Sequence, residues 1–409
     1  MDSFELKIEK TAFGGAGVGR LNGKVVFVRG TIPGETVRAF IHSEKKDYIS
    51  GKLMEVIEAS PSRNEPTCPF ALRPVRSGTT DSFCPGCSYQ HMSYERELAE
   101  KYLQFSEIFS RFAGLDVTNV MEQPAASKPF MGYRNKLTFH TNIERGIVNL
   151  GYFMEDNQTV LDIPQCPLAR KEINDELLKL RANPGFFHTL KDGMTFTIRY
   201  TENDGVIYWR NKPGIKLKYL RENTEAGTIS VPPGSFFQVN RFCMDILIKK
   251  VLGIINKTQP DNVIDIYCGA GLFSIAAASG INGKVTGIDC DDETIKAASF
   301  NAKKLGSSKC KFISSRADKV IRDFLNGKNR EGRTLLITDP PRAGLDAKTL
   351  DAVALGGPKG IIYISCAPDT LCRDLKYLLS ADYEIISTQL VDMFPRTSHF
   401  ESITYLERK

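Results

Sequence analysis

From residue 236 onward, short apolar runs alternate with helical stretches, and that alternation constrains the fold more than any other feature. Runs at 263–267, 285–289, 335–339, 361–365 and 385–391 have strand length. Helical segments lie between them, such as 293–305, which follows an Asp291-Asp292 cap and stops at Gly306. Strand–helix repetition of this kind specifies a parallel, doubly wound α/β sheet. Such sheets bind ligands outside the carboxyl ends of their strands, so chemistry is sought there.

The first run ends Asp265-Ile-Tyr267-Cys268-Gly269-Ala-Gly271, and Asp289 closes the second, twenty residues beyond Gly269. Glycines let a backbone approach a ligand, and a carboxylate at the second strand end can accept both hydroxyls of a ribose. A dinucleotide fold wants a third glycine where this chain has Ser274. The loop therefore suits a mononucleoside, with S-adenosylmethionine (SAM) the natural candidate and NAD the alternative. Tyr267 offers an aromatic edge there or is simply buried, and Cys268 reads as a packing residue.

Two further strand ends stand out. Thr338-Asp339-Pro340-Pro341-Arg342 is either a rigid proline loop or the loop of a methyltransferase that presents a flat base to SAM. Amino-group methylases of that type carry an aromatic residue after the prolines, and Arg342 argues against that chemistry. The run 361–365 leads into Cys366-Ala367-Pro368, with Asp369 and Thr370 as expected caps of a helix over 371–379. A thiol facing a helix start is biased towards thiolate. A cysteine ending a buried strand is also, ordinarily, a small core residue.

Residues 1–60 carry alternating patterns at Phe4, Leu6, Ile8; Val25, Phe27, Val28; Val37, Phe40, Ile41; and Leu53, Val56, Ile57, separated by glycine turns. This spacing predicts a small five-stranded barrel. The loop Phe13-Gly-Gly-Ala-Gly-Val-Gly19-Arg20 lacks the Lys-Ser/Thr of a phosphate loop. With the Ile32-Pro-Gly-Glu35 turn and Gly51-Lys-Leu, it resembles a TRAM domain, the OB-like RNA-binding module.

After a Pro-rich linker come Cys68, the pair Cys84-Pro-Gly-Cys87 and, far downstream, Cys166. Four thiolates in that pattern suit zinc or an iron–sulfur cluster, and His91 is not needed as a ligand. Residues 92–113 are expected as an amphipathic helix with Leu98, Tyr102, Phe105, Phe109 and Phe112 on its buried face. Tyr133-Arg134-Asn135-Lys136 and the basic stretch from Trp209 to Arg221 read either as phosphate contact with base stacking or as a hairpin with a solvated lysine face.

A length of 409 residues allows two or three domains. Hydrophobic content of 42% and charge of 25% suit a soluble protein rather than a disordered or membrane one. The apolar runs are too short to cross a bilayer and the opening residues lack a signal-peptide core, so a cytoplasmic location is expected. In that reducing setting ten cysteines point to metal binding or catalysis rather than disulfides. A net charge of +6 permits a nucleic-acid partner without demanding one.

The motifs converge. The chain resembles the RNA (uracil-5-)-methyltransferases of the iron–sulfur class along nearly its whole length. The resemblance rests on the four cysteines; on Phe236-Phe-Gln238-Val-Asn240; on Asp265 to Gly271; on Asn301-Ala302; on Asp339-Pro-Pro-Arg342; on Ser365-Cys366-Ala-Pro368; and on Met393-Phe-Pro-Arg-Thr-Ser-His399-Phe-Glu401. It implies an α/β multidomain protein: a TRAM barrel over 1–60, a central α+β iron–sulfur and RNA-binding domain over 61–235, and a class I, Rossmann-like SAM-dependent methyltransferase domain over 236–409. The helix 92–113 would pack on that last domain.

The resemblance further implies a 4Fe–4S cluster on Cys68, Cys84, Cys87 and Cys166. SAM contacts would come from Gln238, Tyr267, Gly269, Gly271, Asp289 and Asp339, with Asp318 as a further one. Cys366 would be the nucleophile and Glu401 the base. Such a pair answers a chemical need, because C5 of uracil is a poor nucleophile until a thiolate adds at C6, and the C5 proton must then leave. The target uridine must be flipped out or lie in a loop. A uridine of 23S ribosomal RNA is expected, a tRNA T-loop uridine is the alternative, and a non-catalytic iron–sulfur RNA-binding protein or a cytosine-5 methylase are the other readings. RNA is the expected partner, with no membrane, and a monomer by default.

Two departures accompany the match. Fifteen residues separate Cys68 from Cys84, where the family has a short spacer, and they read as a loop insertion. Loop closure costs only slightly more for the longer loop, so a cluster is still expected. Ala367 stands where the family often has Asn, and Cys372 reads as a buried helix residue.

Overall fold

The structure, a computed structural model, describes residues 3–75, 82–214, 218–326 and 332–409. Part of the expected insertion (76–81) and part of the basic stretch (215–217) lie outside the described residues. No helix among the described residues is long and apolar enough to cross a membrane.

The N-terminal residues form a sheet of six strands, in the order Ser3–Lys7, Thr36–Glu44, Tyr48–Glu58, Lys24–Arg29, Ala16–Leu21 and Lys10–Thr11. The expected count was five; the sixth is a two-residue arm, too short to leave an alternating pattern. Alternate residues Leu6, Ile8, Val26, Val28, Val37, Ala39, Ile49 and Leu53 fill the interior, as a period of two requires. A Cβ on Gly17 would lie 2.0 Å from Thr31 Oγ1, so a glycine of the expected loop serves close packing.

The middle of the chain builds a five-stranded antiparallel sheet, ordered Val160–Asp162, Ile147–Phe153, Lys136–Glu144, Thr195–Thr201 and Gly205–Arg210. Helix Lys171–Ala182 packs Ile173, Leu177 and Leu180 into the core of this unit. Trp209 is buried and Tyr219 stacks on Phe300, 5.4 Å between centroids, so neither aromatic is free for a base. The stretch is not a hairpin of its own: its start ends strand Gly205–Arg210, paired with Thr195–Thr201, and its end begins strand Leu220–Thr224, which pairs with Gly227–Val231 in a separate two-stranded sheet.

The C-terminal sheet has eight strands, ordered Cys310–Ser314, Lys284–Asp289, Asn262–Ile266, Thr334–Thr338, Gly360–Ser365, Glu401–Arg408, Tyr383–Val391 and Met121–Ala125. The first five are parallel, as the strand–helix alternation predicts. The sheet is nevertheless mixed, because Glu401–Arg408 runs antiparallel to both neighbours. The connection 392–400 carries no helix, and without a crossover the chain can only turn back. Helices cover both faces over two apolar cores, in which each fully buried Ile, Leu or Phe contributes about 1.5–3 kcal/mol.

Helix Tyr94–Ile108 packs on this sheet, with Phe105 and Phe109 in one of its cores. It ends in a π-helical turn, Phe109–Ala113. That wider turn rotates its later residues off the buried face, so Phe112 is 54% exposed and not in the core as its spacing suggested. Glu97, Lys101 and Gln104 are buried instead.

Candidate active site

The parallel strands Thr334–Thr338 and Gly360–Ser365 deliver Asp339 and Cys366 to the same edge of the sheet. On the other side, the antiparallel register sets Ser365 opposite Ser402, whose hydroxyl donates to Ser365 O at 3.3 Å. Glu401 is thereby brought beside Cys366. Glu401 is buried and its Oε2 has no hydrogen-bond partner. Burial pushes its carboxyl well above the usual range; the neighbouring Asp339 adds to this and Arg342 opposes it. Burial also raises Asp339, to about 7.

Cys366 is half-buried. Its thiol is pushed up to about 11, first by burial, then by the charges of Glu401 and Asp339, with Arg342 pulling the other way. The expected helix-start bias towards thiolate does not prevail over burial, to which Glu401 and Asp339 add. The helix itself spans Pro368–Ser380, capped at Ala367 without a side-chain bond. Thr370 does not cap it; its hydroxyl donates to Arg342 O and Ala367 O, each at 3.0 Å, tying the two strand-end loops together. Cys372 is buried in this helix, as expected.

The neighbouring strand ends form the glycine loop. Gly269 N–H donates to Asp289 Oδ2 at 2.9 Å, while Asp289 Oδ1 accepts from Asp291 N–H at 3.0 Å. Space is open beside Gly269, but a Cβ on Gly271 (φ +84°) would meet Phe312 at 2.9 Å. Asp265 is buried and takes the Ser274 hydroxyl on Oδ2 at 2.6 Å, leaving Oδ1 without a partner. Burial lifts its carboxyl to about 7 against the Ser274 hydrogen bond, and nearby Asp339 and Asp289 add to the rise. Asn301 fastens the loop, donating to Ala270 O at 3.0 Å and to Ser230 O at 2.9 Å.

Gln238 is buried with Oε1 unpartnered, a state that a polar ligand would relieve. Tyr267 adopts φ +63°, a strained conformation for a residue with a side chain. Its ring lines a cavity of about 690 Å³ with Pro341, Leu345, Leu350, Arg373 and Tyr377. Burial dominates the rise of the Tyr267 hydroxyl, and Asp318 is near enough for its charge to add to it. The Asp318 carboxylate is itself held below the usual range by Arg316, which donates to it at 2.8 Å.

Cys68, Cys84, Cys87 and Cys166 converge from three segments, and all ten cysteines are free thiols. Gln90 bridges two of them, accepting from Cys68 N–H and donating to Cys87 Sγ, both at 3.2 Å. Asn174 clasps the backbone of Cys166 on both sides at 3.0 Å. Burial raises Cys84 to about 11 and raises Cys87 and Cys166 as well, and Cys68 adds to the rise in each case. Among the described residues no group of three or more His, Cys, Asp or Glu side chains forms a ready metal-binding set. His91 is turned to Thr31 O at 3.2 Å, away from any ligand role.

Sequence reading missed a buried ion network. Lys101 donates to Glu97 at 2.8 Å and to Asp392 at 2.7 Å, and Arg396 closes on Glu97 at 3.3 Å. Glu97 and Lys101 stand at i, i+4 on one helix face, which was the available signal; nothing local marks Asp392 as their partner. Phe236, two residues before Gln238, is 74% exposed, which its apolar motif did not suggest.

A sequence profile of the tRNA (Uracil-5-)-methyltransferase family matches residues 228–409, and a TRAM domain profile matches residues 2–54. An uncharacterized RNA methyltransferase of Caldanaerobacter subterraneus subsp. tengcongensis is 30% identical over 461 aligned positions, covering 100% of this chain and 98% of that protein. The chain belongs to the RNA (uracil-5-)-methyltransferase family. Within the family it is 28% identical to the 23S rRNA (uracil(1939)-C(5))-methyltransferase RlmD of Marinomonas sp., across 96% of this chain and 92% of that one. Its fold matches that of the Pyrococcus abyssi tRNA (uracil-54, C5)-methyltransferase solved with S-adenosyl-L-homocysteine, with a TM-score of 0.72 and 21% identity over 98% of this chain and 100% of the other. The methyltransferase fold and the TRAM domain of this RNA (uracil-5-)-methyltransferase are thus in place.

Proposed function

We propose that this protein methylates C5 of a uridine in structured RNA, with Cys366 as nucleophile and Glu401 as general base. The observation that carries the reading is the adjacency of a thiol, Cys366, and a buried carboxyl with a free oxygen, Glu401, under the charge of Arg342. Cys366 Sγ forms a bond to C6 of the uracil, and the ring's electron pair moves to C5 and O4 as an enolate. SAM, when bound, supplies the electrophilic methyl group that C5 takes up. Glu401 then accepts the C5 proton, and the electron pair of that C–H bond expels the Cys366 thiolate, restoring the 5,6 double bond.

Gln238, Gly269, Asp289 and Asp339 are the residues that would hold SAM, with Gly271 shaping the loop and Tyr267 at its border. Gln238 Oε1 and Asp265 Oδ1 are buried acceptors without partners, which fits a polar ligand in this place. Asp318 is a further candidate contact, now paired with the exposed Arg316. Phe236, exposed beside Gln238, offers a face on which an unstacked base can rest.

Cys68, Cys84, Cys87 and Cys166 fit a 4Fe–4S cluster in number and donor type. Gln90, beside two of them, supports that fit with a hydrogen bond to sulfur. The reaction transfers no electrons, so the cluster's part is to hold the surrounding loops.

Large-subunit ribosomal RNA is the leading substrate, supported by the likeness to the Marinomonas enzyme along the chain. The tRNA T-loop is the second reading, supported by the family profile. Single-turnover methylation with labelled SAM, on total tRNA and on modification-free large-subunit rRNA separately, tests both. Label as 5-methyluridine in the rRNA is expected; label in tRNA alone selects the second reading, and no label in either contradicts the proposal.

A further inference from the structure

The connection 392–400 leads directly into Glu401, and four consecutive carbonyls along it are held by four different parts of the chain. Met393 O accepts from Asn240 Nδ2 at 3.0 Å, Phe394 O from Lys101 Nζ at 3.3 Å, and Pro395 O from the Tyr133 hydroxyl at 3.0 Å. Arg396 O accepts the N–H groups of Ser88 and Tyr89 at 2.8 and 3.1 Å. A loop that only joined two strands would leave such groups to water.

Arg396 is the centre of this arrangement. Its backbone N–H donates to Glu97 Oε1 at 2.6 Å, and its guanidinium donates to Glu97 Oε2 at 3.3 Å and to Met92 O at 2.8 Å. The guanidinium also lies 4.8 Å from the centre of the Phe130 ring, which is stacked on Tyr94. Arg396 adopts φ +69°, a conformation that a residue with a side chain keeps only when its surroundings impose it. Glu401, by contrast, has an oxygen with no hydrogen-bond partner to orient it. Its reach is therefore set by the backbone that delivers it.

We propose that Arg396, locked by Glu97, is a positioning residue for Glu401. This rests on the reading of Glu401 as the base. Arg396 fixes the point from which the chain returns to the sheet, five residues before the carboxylate. It also extends the active site to the backbone that follows Cys87, because Ser88 and Tyr89 end on Arg396 O.

The test separates the two halves of the reaction. Formation and decay of the covalent protein–RNA adduct are timed in single turnover for Arg396→Ala, Arg396→Lys and Tyr133→Phe, with Glu401→Gln as reference. Arg396→Ala is expected to form the adduct at the parent rate and release it about a hundredfold more slowly, the cost of a misplacement near 1 Å. Arg396→Lys should recover part of the loss. Tyr133→Phe removes only the bond to Pro395 O and keeps the fold; a decay slowed about fivefold, equivalent to one hydrogen bond, is expected. Equal slowing of formation and decay, or unchanged decay in both Arg396→Ala and Tyr133→Phe, overturns the proposal. Normal release by Glu401→Gln removes the base reading itself, and with it this inference.

Discussion

Ser365 sits directly opposite Ser402 in the antiparallel ladder that joins the last strand to the sheet. Because neighbouring strands run in opposite directions, the residue after one serine and the residue before the other are brought together. They are Cys366 and Glu401. The reversal of the final strand is thus what makes a thiol and a carboxyl neighbours across 35 residues of sequence.

Arg342 lowers both the Cys366 thiol and the Glu401 carboxyl, against burial, which raises both. Each group works as its conjugate base, so the rate rises with pH as they ionise. Arg342→Gln should raise both pKa values and move the ascending limb of the kcat/KM profile to higher pH, with part of the lost rate recovered in alkaline buffer. A profile that falls in height without moving would show that Arg342 acts on the substrate instead.

Asp265 gives a stability prediction with a definite sign. Its folded pKa is raised to about 7 from the ordinary 3.8, chiefly by burial. The folded state therefore keeps a proton that the unfolded chain releases, and the contribution to stability is full below pH 4 and lost as pH rises through 7. Asp265→Asn, measured by urea unfolding without SAM, should flatten this slope and gain stability at pH 8 relative to pH 4. An unchanged slope would place the titration elsewhere.

Lys101 is fully buried between Glu97 and Asp392. Burial works to lower its pKa, and the two carboxylates more than offset this, so it stays charged. Lys101→Met leaves buried Asp392 without its cation and Glu97 with Arg396 alone, and should cost about 3–5 kcal/mol in urea unfolding. A cost under 1 kcal/mol would mean that water or protonation replaces the lysine.

The order of strands and helices along 236–409 was legible because apolar runs and capped helices alternate with helical and strand periods. Direction was not legible at the end, since ESITYLER reads the same either way and only the missing crossover helix reverses it. The strand Met121–Ala125 escaped notice for a related reason: it holds a proline and is an edge, with no apolar run to mark it. Cys366, Glu401 and the glycine loop were found as motifs, and their adjacency came from register. The Glu97–Lys101–Asp392–Arg396 network joins residues some 300 positions apart, so no local pattern could have assembled it.

The cysteines make a chemical prediction that is independent of turnover. Protein purified without oxygen should hold about four iron and four sulfide per chain, and Cys87→Ser should lose most of both. Zinc in place of iron, with no sulfide, would contradict the cluster.

The central claim is that Cys366 bonds the uracil and Glu401 ends the bond. Glu401→Gln, incubated with SAM and substrate RNA, should accumulate a covalent complex whose peptide mass carries a methylated uridine on Cys366. Cys366→Ala should form neither complex nor product. Product release by Glu401→Gln at the parent rate, or methylation by Cys366→Ala, would contradict the account.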